Sequence, residues 1–305
     1  MTAIQENFNP FLQEAGTVQI GGIDALVRLT LDQVRTDARR GLKTATFVSG
    51  YRGSPVGMLD AALIRQQKLL LEHNIHFVDG LNEDLAATAV WGSQMLHAVG
   101  GKKFDGVNGM WYGKAPGVDR SGDALKHANY TGTGSNGGVL AVCGDDPGCK
   151  SSSLSSQSEP MLFHLGMPSL YPGNVQEILD LGLHGYNLSR LSGLWVGMKI
   201  VTNVADGSGS ADVSHERLNF VTPDLGFNGQ LFTPRMNLGM NVRAEALEME
   251  QSLYTRRLEV ASRYAKSNKL NQIVFPNTDA WLGIIAAGKT YYDLRQSFLE
   301  LGLDD

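Results

Sequence analysis

Residues 44–74 read TATFVSGYRGSPVGMLDAALIRQQKLLLEHN, and the order of patterns inside this stretch decides the fold. The run TATFVSG (44–50) is apolar and β-branched, as expected of a buried strand. A turn rich in Gly and Pro follows. The next segment has Pro55 near its first turn and apolar residues at 59, 63, 70 and 71, which predicts a helix. Strand, turn and helix in that order are the repeating unit of a parallel sheet covered by helices.

The theme recurs along the first 200 or so residues. IHFVDG reads as the next strand, followed by a helix entered at Glu83. GVNGMWYG (106–113) and GGVLAVCGDD (137–146) are further strands. PSLYPG and NVQEILDLGLHGYNLSRLSG make another strand–helix pair, and LWVGMKIV is a final strand. The expected fold class is therefore α/β, a parallel sheet with helices on both faces. In such sheets ligands bind outside the carboxyl ends of the strands. The turns that matter are then SGYRGSP, DGLNED, GKAPGVDRSGD and GDDPGCKSSS.

Around VADGSGSADV (204–213) the pattern breaks into polar turn residues, a plausible boundary. Residues 241–268 follow as a long amphipathic helix with Ala246, Met249, Leu253, Val260 and Tyr264 on one stripe. AWLGIIAAG then reads as a strand and KTYYDLRQSFLELG as a helix. One strand–helix unit cannot bury its own apolar faces. The expectation is the start of a second α/β domain in an incomplete chain.

Bulk properties narrow the function. The 305 residues are 42% hydrophobic and 19% charged, ordinary for a globular protein, and allow one large domain or two modest ones. A net charge of -5 gives no footprint for nucleic acid, and no basic run suggests an anionic membrane. No apolar run reaches the roughly 18 residues a membrane span needs. MTAIQENFNPFLQEAG lacks the pattern of a secretory leader. With two cysteines, Cys143 and Cys149, the reading is a reduced, cytoplasmic protein.

Several motifs carry little. TGTGSNGG (131–138) has the three glycines of a dinucleotide site but precedes a strand rather than a helix, so a surface turn is the better reading. The seven histidines are scattered, and Cys143 and Cys149 lack the spacing of zinc or iron–sulfur ligands. No G-x-S-x-G elbow occurs. KSSSLSSQSE (150–159) could bind an anion through hydroxyls and backbone N–H groups or be a solvated loop. Arg120 could grip a carboxylate, though Asp119 and Asp123 offer it ordinary ion pairs. Glu83 and Asp84 open a helix rich in small residues. Either could be a helix-start anion worth up to about 1 kcal/mol. Yet Ala86, Ala87 and Ala89 leave room for a planar group, so a catalytic carboxylate stays open.

Five blocks carry a resemblance: FVSGYRGSPVGMLD, GLNEDLAATAVWGSQ, GMWYGKAPGVDRSGDALKHAN, GDDPGCKSSSLSSQSE and YPGNVQEILDLGLHG. Their order resembles that of the bacterial fused indolepyruvate ferredoxin oxidoreductases, N-terminal portion, within the thiamine-diphosphate-dependent 2-oxoacid:ferredoxin oxidoreductase family. The likeness runs from about residue 17 to 215 and more loosely to the end. It implies that residues 1–235 are a thiamine diphosphate pyrimidine-binding domain. Residues 236–305 would be the long helix and first strand–helix unit of a transketolase C-terminal-like domain.

The family's N-E motif matches Asn82-Glu83. The resemblance therefore makes Glu83 the catalytic carboxylate that hydrogen-bonds the aminopyrimidine ring nitrogen and must exchange a proton readily. The turn at Tyr51, Gly53 and Ser54 matches one that lines the cofactor, with Ser54 near the substrate. Arg120 is the local candidate for the substrate carboxylate. The implied reaction is oxidative decarboxylation of an aryl 2-oxoacid to an acyl-CoA, with electrons to ferredoxin, in a homo-oligomer. Mg2+ and [4Fe-4S] clusters belong to the full-length enzyme. Their ligands, a G-D-G motif and clustered cysteines, are absent from this sequence, so a second, diphosphate-binding domain is expected and the isolated chain should be inactive. A non-redox thiamine decarboxylase or synthase and a non-catalytic assembly module remain alternatives.

Overall fold

The structure is a computed structural model that describes residues 9–98 and 100–303. Half of the amino-terminal stretch inspected above for a leader, residues 1–8, lies outside the described residues. The elements before the main sheet are β1 (Thr17–Gly21) and α1 (Gly22–Arg39). β2 (Thr44–Gly50) follows, then two short helices α2 (Leu59–Arg65) and α3 (Gln67–Glu72), and β3 (Ile75–Phe77). Next come α4 (Glu83–Ser93), β4 (Gly106–Lys114), α5 (Ala115–Arg120), α6 (Gly122–Thr131) and β5 (Gly138–Asp145). The unit continues with α7 (Glu159–His164), β6 (Ser169–Leu170), α8 (Val175–Ser192) and β7 (Trp195–Val201). It closes with α9 (Thr202–Ala205) and β8 (Ser208–Asp212).

Six strands pair in the order β3-β2-β4-β5-β7-β6, and every pairing in the sheet is parallel. Side chains alternate between faces along a strand, and the core divides accordingly. Met110, Tyr112, Leu140 and Val142 belong to one apolar cluster, with α1 and α8. Trp111, Val139, Ala141 and Cys143 belong to another, with α4, α5 and α6. Burial on both sides explains why these strands read as continuous apolar runs. Because the strands are parallel, Gly50, Lys114, Asp145 and Val201 all end at one edge, which is where the candidate site lies.

Three sequence expectations change. The helix expected directly after the 51–55 turn starts later, at Leu59, and is interrupted at Gln66. VADGSGSADV is no boundary: β8 pairs antiparallel with β1 and ties residues 208–212 back to the amino-terminal strand. No helix was read from residues 22–39. α1 is covered so completely that Arg28, Thr30, Asp32, Gln33 and Arg35 are buried, which hides a clean amphipathic stripe. The TGTGSNGG segment joins α6 to β5 as a turn at the amino edge, away from the site.

After two short strands, β9 (Gly226–Phe227) and β10 (Gln230–Leu231), the long helix forms as α10 (Arg243–Ser252), a π-turn (Leu253–Arg257) and α11 (Leu258–Ser267). It packs on the sheet unit. Met249, Leu253, Val260 and Tyr264 are buried as the stripe predicted, and the Tyr264 hydroxyl meets His184 Nδ1 at 2.9 Å. Arg257, buried in the π-turn, donates to the carbonyls of Asn129 (2.6 Å), Tyr130 (3.0 Å), Ser192 (3.4 Å) and Gly193. It thereby closes the carboxyl ends of α6 and α8, where unpaired carbonyls and the helix dipole favour a cation.

AWLGIIAAG does not form a strand, contrary to expectation: residues 280–288 lack ladder pairing, and α12 (Lys289–Leu301) follows. A strand exists only through its ladder, and residues 280–288 pair with none of the described strands. Its side chains stand in solvent, Trp281 at 92% exposure. Among the described residues no helix is long and apolar enough to cross a membrane.

Candidate active site

Asn82 is the N-cap of α4, in extended conformation, and its Oδ1 accepts the Leu85 N–H at 2.9 Å. That cap makes Glu83 the first helical residue. Ala86 and Ala87 seat α4 on the sheet: a Cβ at Gly80 would lie 2.8 Å from that of Ala86. The alanines thus serve close helix–sheet packing, not room for a ligand, and Ala89 faces solvent. The indole N–H of buried Trp111 on β4 donates to the Glu83 carbonyl at 3.1 Å, fixing the start of α4 against the strand end. Sequence reasoning missed Trp111, because an apolar run gives no sign of which side chain carries a specific hydrogen bond.

Glu83 itself is only 5% exposed. Its side chain lies against Gly113 and Gly117. A Cβ on Gly117 would come within 2.6 Å of Glu83 Cγ and 2.8 Å of Oε1, so a side chain there would displace the Glu83 side chain. Among the described residues its nearest cation is Arg120, whose Nη1 lies 3.9 Å from Oε2, too long for a hydrogen bond. Arg120 Nε donates instead to Asp84 Oδ2 at 3.1 Å. The partners expected for Arg120, Asp119 and Asp123, are displaced by Asp84, because residues 115–131 are helical rather than an open turn.

The 51–55 turn leaves β2 at the same edge. The Tyr51 N–H donates to the Tyr112 carbonyl at 3.0 Å, and the Tyr51 side chain is exposed. Gly53 sits against Lys114, where an added Cβ would lie 2.9 Å from Cδ. The Ser54 hydroxyl meets that of Ser151, and the Ser54–Pro55 peptide is cis. Arg52 reaches toward Asp60 at 4.0 Å. The end of β4 therefore lies between the two groups of residues: Gly113 borders Glu83, and Lys114 borders Gly53.

An internal anion takes the first backbone donors of KSSSLSSQSE. Asp146 accepts the N–H groups of Lys150 (2.9 Å), Ser151 (2.8 Å) and Ser152 (2.8 Å), so those donors are already used. Hydrogen bonds from Ser151, Lys150 and Ser152 hold its carboxyl well below the usual range. Asp145, next to it, is raised by burial, against hydrogen bonds from Ser158 and the charge of Lys199. Lys199 ion-pairs with Glu159 and lies 3.4 Å from Asp145. Cys143 is buried, with its thiol pushed up by burial, and Cys149 is exposed; both are free. Among the described residues no group of three or more His, Cys, Asp or Glu could hold a metal ion.

The carboxyl edge of the parallel sheet thus gathers a buried, sparsely partnered carboxylate and a hydroxyl-bearing turn on an α/β unit. The 2-oxoglutarate:ferredoxin oxidoreductase of Magnetococcus marinus, solved with 2-oxoglutarate, coenzyme A and succinyl-CoA, has a similar fold. Its TM-score is 0.59 at 14% identity, over 94% of this chain and 52% of that one.

In sequence, the chain is similar to proteins named indolepyruvate oxidoreductase subunit IorA. It is 26% identical over 260 residues to that of Methanothermobacter marburgensis, covering 84% of this chain and 38% of the relative. It is 25% identical over 278 residues to that of Methanothermobacter thermautotrophicus, covering 89% and 40%. The chain thus spans about two fifths of the length of these relatives. No family model matches it. The structural likeness is one of fold, and the sequence likeness is to a part of these relatives.

Proposed function

We propose that this chain supplies the aminopyrimidine-facing half of a thiamine diphosphate site in an indolepyruvate-type 2-oxoacid:ferredoxin oxidoreductase, of the fused bacterial form. One observation carries the reading: Glu83 is buried at the sheet's carboxyl edge, yet its oxygens accept no hydrogen bond from the described residues. Those oxygens are not fully enclosed, so a deeply set carboxylate without a protein donor is open to a donor from outside. A ring N–H of an aminopyrimidine has that chemistry.

Bound thiamine diphosphate would supply the nucleophilic carbon and the electron sink for decarboxylation of a 2-oxoacid. This chain's residues would do the rest of their half. Glu83 holds and returns a proton at its Oε atoms. Asn82 and Trp111 keep its backbone fixed, and Gly117 leaves space for its side chain. Tyr51 and Gly53 line the cofactor, and Ser54 and Arg120 face the substrate, with the Arg120 guanidinium turning from Asp84 to the substrate carboxylate. Exposed Leu81 (85%) and half-exposed Leu85 flank Glu83, an apolar rim suited to a diphosphate-binding domain. Magnesium, iron–sulfur clusters, coenzyme A and ferredoxin are assigned to other parts of a cytoplasmic, oligomeric enzyme, and this chain alone is proposed to be inactive.

The test is Glu83→Gln in the complete enzyme. Turnover of indolepyruvate should fall by at least about 100-fold, while cofactor affinity, read by calorimetry, changes far less. A variant that keeps its rate within threefold of the parent sinks the proposal.

A further inference from the structure

Two consecutive carboxylates stand at the end of β5, Asp145 as its last residue and Asp146 just past it. Each holds one end of the loop that follows. Asp145 accepts the N–H and hydroxyl of Ser158, at 2.9 and 3.0 Å. Asp146 holds the other end. Its carbonyl accepts the N–H of Cys149 (3.1 Å) and Ser156 (3.3 Å), and its N–H donates to the Ser156 hydroxyl at 3.3 Å. With the three N–H groups on its carboxylate, all its polar groups are committed to this loop, and its side chain is fully buried.

Little else fixes the segment. Residues 147–151 are exposed, Leu154 points into solvent, and Cys149 is held at a φ of +50°, a region costly for a side-chain-bearing residue. Beyond Asp146, the entry half of the loop is tied by Lys150 Nζ to Asn203 Oδ1 at 2.9 Å and by two contacts with the 51–55 turn. Those are the Ser151 hydroxyl on the Ser54 hydroxyl, and the Ser152 hydroxyl donating to the Ser54 carbonyl at 3.4 Å.

We infer that Asp146 is a positioning residue: its carboxylate gathers the N–H groups of 150–152 and so sets the Ser151 and Ser152 hydroxyls against Ser54, fixing the wall that receives the 2-oxoacid. This rests on the assignment of Ser54 to the substrate side. The chemistry is specific to a carboxylate, since two oxygens accept three converging donors and a carboxamide offers only one. Asp146 touches no reacting atom and acts through Ser54.

Two measurements separate the parts. Amide hydrogen exchange on this chain reads the loop without any turnover. Asp146→Asn should speed exchange at Lys150, Ser151 and Ser152 by at least tenfold while β5 stays protected. In the complete enzyme the same change should raise KM for the 2-oxoacid about tenfold and leave kcat within threefold, the split expected of a lost wall. Ser151→Ala with Ser152→Ala, which spares the Asp146 contacts, should raise KM similarly with the backbone amides still protected, and it covers the case in which Asp146→Asn fails to fold. Unchanged exchange in Asp146→Asn overturns the latch. Faster exchange with unchanged KM overturns its role at the substrate wall. A complete parent enzyme with no 2-oxoacid turnover would count against the proposed function and leave the exchange result standing.

Discussion

Gly117→Ala tests the placement of Glu83 more sharply than removal of the carboxylate does. The new Cβ would stand 2.6 Å from Glu83 Cγ, 2.8 Å from Oε1 and 3.0 Å from Cδ, where ordinary contact begins at 3.4 Å. Relief at Cγ alone needs a displacement of about 0.8 Å. Cγ is the first atom beyond Cβ, so it moves only by turning χ1, which swings the carboxylate further than Cγ itself. A misplacement near 1 Å lowers rate by roughly 100-fold in a preorganised site. Stability should hold, because Ala gains about 1 kcal/mol over Gly in a helix and offsets part of the strain. The assay is steady-state turnover of the complete enzyme at saturating cofactor, with urea unfolding alongside. Adding Gly117→Ala to Glu83→Gln should cause no further loss, since both act on one group. Turnover within threefold of the parent, or fully additive losses, would refute the reasoning.

Burial pulls the pKa of His184 from 6.5 down to about 4, so between those values the folded state binds fewer protons than the unfolded one. Its stabilising share is complete above pH 6.5 and fades as pH falls toward 4, by about 3 kcal/mol in all. Urea midpoints of the parent should therefore drop more steeply across that window than those of His184→Gln, and parallel curves would exclude the effect. Arg257→Met strips the donors from carbonyls at the ends of α6 and α8 and should lower stability by about 3 kcal/mol. A loss below about 1 kcal/mol would show that water replaces the guanidinium. The apolar residues from Ile273 to Ile285 should make this chain bind a hydrophobic dye, and Trp281→Ser with Ile285→Asn should reduce the signal at least twofold; undiminished fluorescence would place the dye elsewhere.

Much of the architecture was legible from local pattern. TATFVSG, GVNGMWYG, GGVLAVCGDD and LWVGMKIV are strands because two-sided burial demands uninterrupted apolar runs, and that demand is visible residue by residue. Asn82 before Glu83 is likewise a local signal, since a cap acts within one turn. The helix at 22–39 was hidden because its polar residues are buried under a segment outside the helix: Arg28 donates to the carbonyls of Pro10 and Gln13, and Arg35 to that of Phe11. β8 escaped notice because its Gly- and Ser-rich sequence becomes a strand only by pairing with β1.

The site divides the same way. Sequence alone determined that a carboxylate pair, Glu83 and Asp84, opens a helix at a strand-end turn, because that depends on neighbours in the chain. Only the tertiary structure decided that Gly117 and Trp111 fix this carboxylate, that Arg120 turns to Asp84, and that Asp146 fills the nest of N–H groups at 150–152. These are contacts between residues brought together by packing, at ångström distances that no pattern along the chain encodes.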